Sequence, residues 1–587
     1  MPTSASVTGT SADSAFLSRT DLTAYSSNAR LLFALQLQFQ LEDIQTVATN
    51  SLTDSANDCK CDLIYVDQDA GAAIIAQGYE AKDSKRKAAP ANKAADLNTA
   101  AAWLLGRPLK DLPEHLRPAA RELRNALKLK TIKSLQFWFV HNLPESKNVR
   151  NELHTVELTA DGLIQQHFSK CGVENISAVE VGQETLEEWY QALKTPILVN
   201  ETFKIPCAGG YPIQGKNWDA YATAIPARWL YDIFQSHKDK LFSANLRGYL
   251  GSIRSVSNIN NGIKSTADKQ PDQFWVFNNG ITALVHDFKK TTTGLEITGL
   301  SIVNGAQTTG AIGSLKSHPK SSAMVQARFV KCQDVTTVEN IIRCNNSQNL
   351  VEAADFRSND AVQKRLRSEF KEIPDTDYQG CRRGGHQDVI RRPGNSIPYD
   401  TAAQALAAFH NNPVVAYNRK SQIWLSDDLY ASYFHEETHA AHIVFAYSLL
   451  RCIQERKLSL MRQLNSGEEL QESRKNELMF LRKRGATFLL ASAIASCLEI
   501  FLEKPVANKF RASFGDHTSP KTAQKHWDPI VTAVLPLYLK LMPVLDTGLN
   551  NAEEASRGIV EFKSMVDFGR SMLAPSFKKF ADKVTIS

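Results

Sequence analysis

Asp62, Glu80 and Lys82 carry the chemistry most open to inspection. Glu80-Ala81-Lys82 closes an apolar stretch, Ala72–Lys82, that reads as a strand. Side chains in a strand alternate with period two, so Glu80 and Lys82 project from one face. Two converging carboxylates, Asp62 and Glu80, suit Mg2+ or Mn2+, hard cations that take oxygen ligands and keep some of their waters. Such an ion acidifies a bound water and offsets charge building on a phosphodiester. A lysine beside it orients that water or helps to neutralise the transition state. Gln77 stands at odd parity to Glu80 and Lys82 and is given no metal role. If the intervening DQDAG is a tight symmetrical turn, Asp62 pairs near Ala76 and Asp58 falls opposite Glu80. A bulge or longer loop returns Asp62 to the site, and Asp58 stands in reserve as first ligand. Lys82, Lys85, Arg86, Lys87 and Lys93 crowd at and past the strand end, where a phosphate backbone could lie.

The elements that must position these residues follow from apolar spacing. ARLLFALQLQFQLEDIQ has one buried helical face. Strands are expected at Asp62–Val66, Ala72–Lys82 and Ser134–His141, with helices at Ala94–Leu105 and around Arg117–Lys130 between the last two. Helix, strand, strand, helix, strand is an α/β arrangement. An acid opening one strand and (D/E)xK on the next resembles the PD-(D/E)xK nuclease signature. That resemblance implies a restriction-endonuclease-like α/β domain with Asp62 and Glu80 on metal and Lys82 assisting the water. The helix before the strands often contributes a further acid there, which Glu42 or Asp43 could supply, and Glu42 is taken to complete the metal shell.

The middle of the chain carries a different series: LRGYLG (Leu246–Gly251), FWVFNNGIT (Phe274–Thr282), IVNGAQTT (Ile302–Thr309) and NNSQN (Asn345–Asn349). FWVF and MVQARFV read as strands. Asn279-Gly280 and Asn304-Gly305 suit backbone with positive φ. Their amides could meet phosphate or a base edge, or simply shape turns. Arg382, Arg383, Arg391 and Arg392 flank a Gly-Gly loop and form the densest arginine cluster, a candidate nucleic-acid contact. In this order the motifs, from about Leu241 to Pro413, resemble the AIPR family, the abortive-infection phage-resistance proteins of bacteria. The resemblance implies antiphage defence. Members often have a nuclease-like N-terminal segment with a Q-x-K or E-x-K strand, and Glu80 here supplies a ligating acid where many relatives have Gln.

Composition removes other classes. In 587 residues, Lys plus Arg total 68 and Asp plus Glu 62, a net +6 that leaves nucleic acid open without demanding it. The nine cysteines are odd in number and scattered, as in a reduced intracellular protein. The N-terminus lacks a secretory pattern, and the most apolar stretch, Ala486–Leu502, is too short to span a membrane and reads as a buried helix. A cytoplasmic location is expected. No GxxxxGK[ST] supports ATP hydrolysis. His435-Glu436-Glu437-Thr438-His439 reads H-E-x-x-H, with His442 one turn on, but Glu437 is charged where zinc-protease helices are not, and no downstream glutamate motif follows.

The expectation is therefore a multidomain α/β protein. It comprises a restriction-endonuclease-like domain (1–163), a mixed α/β AIPR module (164–415) and a mostly helical C-terminal region (416–587). Its expected activity is Mg2+- or Mn2+-dependent cleavage of nucleic acid, DNA rather than RNA. A phage-derived trigger and self-association are expected partners. A non-catalytic sensor or scaffold is the alternative, and a zinc protease a weaker one.

Overall fold

The structure, a computed structural model, describes residues 11–586 apart from 54–57, 84, 194–195, 246–255, 346–356, 358–359, 379–394 and 547. Its first unit is a four-stranded sheet between two helical layers. The strands are β1 (Leu63–Asp67), β2 (Ala72–Tyr79), β3 (Ser134–His141) and β4 (Asn175–Val181), in the order β1-β2-β3-β4. β1 runs antiparallel to β2, with Leu63 opposite Ala76 and Asp67 opposite Ala72. β2, β3 and β4 run parallel. Helices α1 (Ala12–Leu17), α2 (Ala29–Phe39) and α3 (Ile44–Ser51) precede the sheet, α4 (Ala91–Ala101) and α5 (Arg117–Lys128) join β2 to β3, and α6 (Lys147–Phe168) joins β3 to β4. α7 (Gln183–Ala192) follows. Parallel strands need such crossovers, which explains why every residue of β3 is buried. Ile75, Phe137 and Phe139 pack under α4, α5 and α6, while Ile74, Trp138 and Val140 pack under α2 and α7.

The long N-terminal helical pattern is divided. Gln40, with φ 48°, ends α2, and Asp43 caps α3 by accepting from the Thr46 amide. A boundary at residue 163 would cut α6, and β4 beyond it belongs to the first sheet.

The second unit is a seven-stranded sheet, β5 (Val199–Pro206), β6 (Gly210–Gln214), β7 (Trp218–Pro226), β8 (Ile281–Val285), β9 (Asp287–Lys290), β10 (Gly294–Asn304) and β11 (Met324–Cys332). Its order is β5-β10-β8-β11-β7-β6, with β9 also on β10. MVQARFV lies in β11 as its alternation requires. FWVF does not form a strand: Phe274–Phe277 is one helical turn with only Phe274 buried. The four residues precede the Asn-Gly turn that opens β8, and short apolar runs do not distinguish a strand from a helical turn.

The last unit is helical and already begins before residue 416, because one core runs from Leu366 to Val584. Its axis is a 26-residue helix, Ala440–Asn465. Ala486–Ser496 and Leu498–Leu502 are buried in the same core. No described helix is long and apolar enough to cross a membrane.

The first and last units meet through buried charge. Arg451 of the long helix lies 2.8 Å from Asp43, which also accepts from the hydroxyls of Thr46 and Thr401. Burial opposes ionisation of Asp43, but Arg451, Thr401 and Thr46 outweigh it and hold its carboxyl below the usual aspartate range. Asp43→Asn should cost about 3–5 kcal/mol, read from the urea midpoint at pH 7. The contribution is complete above the unfolded aspartate pKa of about 4 and is lost as pH falls through the depressed folded value. The gap between wild type and variant should therefore close on acidification.

Candidate functional site

β2 ends at Tyr79, so Glu80 and Lys82 stand just beyond the ladder. Ala81 between them is buried, and its N–H and C=O are both bonded to the Asn142 side-chain amide, at 2.9 and 3.0 Å. Glu80 and Lys82 are exposed on either side of this anchor. Asn142 follows β3, which reaches the same rim because it runs parallel to β2.

Asp62 precedes β1, at the same rim. The connection between β1 and β2 is the four residues 68–71. No longer loop is needed, because the Asp62 side chain does the reaching: Oδ2 accepts from the Gly78 amide at 2.7 Å. This places the carboxylate beside the residue two before Glu80. Asp58 is used elsewhere, in a turn where its carboxylate accepts from the Lys60 amide at 2.8 Å.

Glu80 has a partner that residue spacing did not reveal. Arg30, on α2, donates from Nε to Oε2 at 3.0 Å and from Nη2 to Oε1 at 3.2 Å. The signal was available: an arginine inside ARLLFALQLQF must find an acid once the helix is buried on its neighbours. Behind the rim, His141 Nε2 and Glu180 Oε1 lie 3.2 Å apart and fully buried, and Glu180 accepts from the Ser146 amide. His141 and Glu180 brace the ends of β3 and β4.

Glu42 is not at this rim. It follows α2 and lines a cavity with Asp67, Asp69, Asp400 and Lys420, at the far end of β1. The length of β1, about 17 Å at the usual strand rise, separates it from Asp62. Asp43, the alternative acid, is committed to Arg451. Among the described residues no three His, Cys, Asp or Glu side chains group as a metal site. The rim offers two carboxylates and an ammonium, a set that fits Mg2+, which commonly binds through one or two carboxylates and retains waters.

Lys85, Arg86 and Lys87 are exposed next to this rim, and Arg86 donates to the Tyr79 hydroxyl at 3.2 Å. Arg382, Arg383, Arg391 and Arg392 lie outside the described residues, as do LRGYLG and most of NNSQN.

The two Asn-Gly motifs pack on each other. Gly280 and Gly305 have φ of 76° and 91°, and a Cβ on Gly305 would stand 2.6 Å from the Gly280 carbonyl oxygen. Asn278 holds the pair, accepting from the Gly280 amide at 2.8 Å and bonding the Thr308 hydroxyl. Asn279 and Asn304 are exposed. The H-E-x-x-H residues form a turn between helices Asp427–Tyr433 and Ala440–Asn465, not a helix. His435 shares no helix face with His439, which instead contacts Glu369 at 3.2 Å. His442 is buried against His410, and burial pushes it down to about 4. The spacing that suggested zinc chemistry is not realised.

Residues 242–526, just under half of the chain, match the family model described as AIPR protein. The match runs past Pro413 into the helical unit and starts beyond the first sheet. No curated protein and no solved structure matches the chain.

Gly280→Ala should destabilise the protein by about 1–3 kcal/mol, because positive φ is combined with a Cβ 2.3 Å from the Gln326 carbonyl oxygen. Exposed Asn279→Ala should stay within about 0.5 kcal/mol of wild type. Thermal melts of the two variants check both.

Proposed function

We propose that this chain is an AIPR-type antiphage defence protein whose first unit is a metal-dependent nuclease acting on DNA. The observation that carries the reading is the Asp62–Gly78 hydrogen bond, which brings the acid before β1 to the strand end bearing Glu80 and Lys82. The mixed sheet between helical layers supports a restriction-endonuclease-like domain. Open α/β sheets place ligands at the carboxyl ends of their parallel strands, which is this rim.

Asp62 and Glu80 would hold Mg2+ or Mn2+, which supplies an acidified water and neutralises phosphate charge. The chain's own part is positional. Asn142 fixes the backbone of Ala81, and with it the point from which the exposed Lys82 side chain would reach the carboxylates. Lys85, Arg86 and Lys87 give the phosphate backbone a basic approach to the rim. The defence role rests on the family match.

A sensor or scaffold is the second reading. It draws on the same rim, since Asp62 satisfies a backbone amide and Glu80 an arginine, and both are structural duties.

Plasmid DNA and RNA incubated with Mg2+ or Mn2+ distinguish the two. Wild type should cut DNA, and Asp62→Ala and Lys82→Ala should each lower the rate by about a hundredfold or more. Equal cutting by wild type and both variants would remove the chemistry from this rim. Absence of cutting at any metal concentration would favour the sensor.

A further inference from the structure

We propose that Arg30 is an internal counter-ion that occupies Glu80 until a divalent cation displaces it, with Asp13 as the acid that retains Arg30 once Glu80 is released. This rests on Asp62 and Glu80 being the metal-binding pair. Both Glu80 oxygens are engaged by the Arg30 fork, so a metal ion and the guanidinium compete for the same atoms.

The environment of Arg30 makes the exchange asymmetric. Its side chain is 8% exposed, whereas those of Glu80 and Asp13 are 42% and 57% exposed. The cation is sheltered and its two acids face water. A buried guanidinium stripped of every acid is strongly disfavoured. Arg30 has one acid to spare, because its Nη1 donates to Asp13 at 3.0 Å while the other two nitrogens hold Glu80. Glu80 can turn to a metal ion while Asp13 keeps the arginine neutralised.

The holder is the first helix. Asp13 and Phe16 lie on α1, and the Arg30 guanidinium sits 4.3 Å from the Phe16 ring centroid. Ser11 caps α1, the Ala12 amide donates to Glu187 of α7 at 2.7 Å, and Phe16 packs on Phe33 with centroids 5.5 Å apart. The segment Ser11–Leu17 thereby sets how readily the rim accepts a cation, and displacing it would change that readiness without touching Asp62 or Glu80.

Titration of full-length protein with Mn2+, read from the electron paramagnetic resonance signal of the free ion, tests the exchange directly. Arg30→Gln should bind Mn2+ about tenfold more tightly than wild type. Asp13→Asn should bind more weakly, because Arg30 is then left with Glu80 alone. Asp62→Ala should abolish binding. Should Arg30→Gln not fold, Arg30→Lys keeps the charge, removes the bidentate fork and should tighten binding by a smaller factor. Equal affinities in wild type and the Arg30 variants would overturn the counter-ion while leaving the metal pair intact. No Mn2+ bound by wild type or by either Arg30 variant would overturn the metal pair itself, and this inference with it.

Discussion

Strand β2 bonds antiparallel to β1 on one edge and parallel to β3 on the other, and much of the molecule's first unit depends on that mixture. The antiparallel edge returns the start of β1 to the end of β2, so Asp62 and Glu80 share a rim. The parallel edge brings the end of β3 to the same place, and with it Asn142 and His141. It also requires crossover helices, which cover one face of the sheet and leave the other to α2 and α7. Because α2 is the cover on the Glu80 side, Arg30 becomes available to pair with it. Acid, anchor and counter-ion are consequences of one strand's two neighbours.

Sequence periodicity reached β1, β2 and β3 of the first sheet but not β4, read the helical turn Phe274–Phe277 as a strand, and gave no access to side-chain partnerships. β3 coincides with the stretch Ser134–His141 read from its apolar residues, since a strand buried on both faces has an unmistakable composition. β2 stops three residues before Lys82, because the tripeptide carrying Glu80 is held by a side chain and not by a ladder. Local spacing has no access to Asn142 or Arg30, which arrive from distant parts of the chain. Glu42 was misplaced for a related reason. The left-handed residue Gln40 ends α2 and turns the following acids towards the opposite end of β1. H-E-x-x-H failed because Thr438 bonds back to the Tyr433 carbonyl, closing a turn where a helix would be needed.

The first and last units are joined by polar groups out of reach of water. Besides Asp43–Arg451, Arg484 contacts Glu122 at 3.1 Å and donates to the Ile64 carbonyl, and Lys457 donates to the Thr49 carbonyl. Burial together with Arg484 and Arg482 pushes Lys457 well below the usual lysine range. Such contacts demand exact partners and contribute less net stability than an apolar surface of the same size, but they fix one orientation. The helical unit thereby touches the strand that follows Asp62.

The seven-stranded sheet draws its members from two separate lengths of chain. β5, β6 and β7 lie before residue 242, while β8 to β11 lie after it, and β11 takes β7 as one neighbour and β8 as the other. The stretch matched by the AIPR family model therefore omits strands from both sides of its own sheet. A fragment trimmed to the matched residues would expose the edges of β10 and β11 and lose core side chains such as Ile205, Ile225 and Leu230, a form prone to stick to other chains. What is shared as sequence and what folds as a body are, in this protein, different segments.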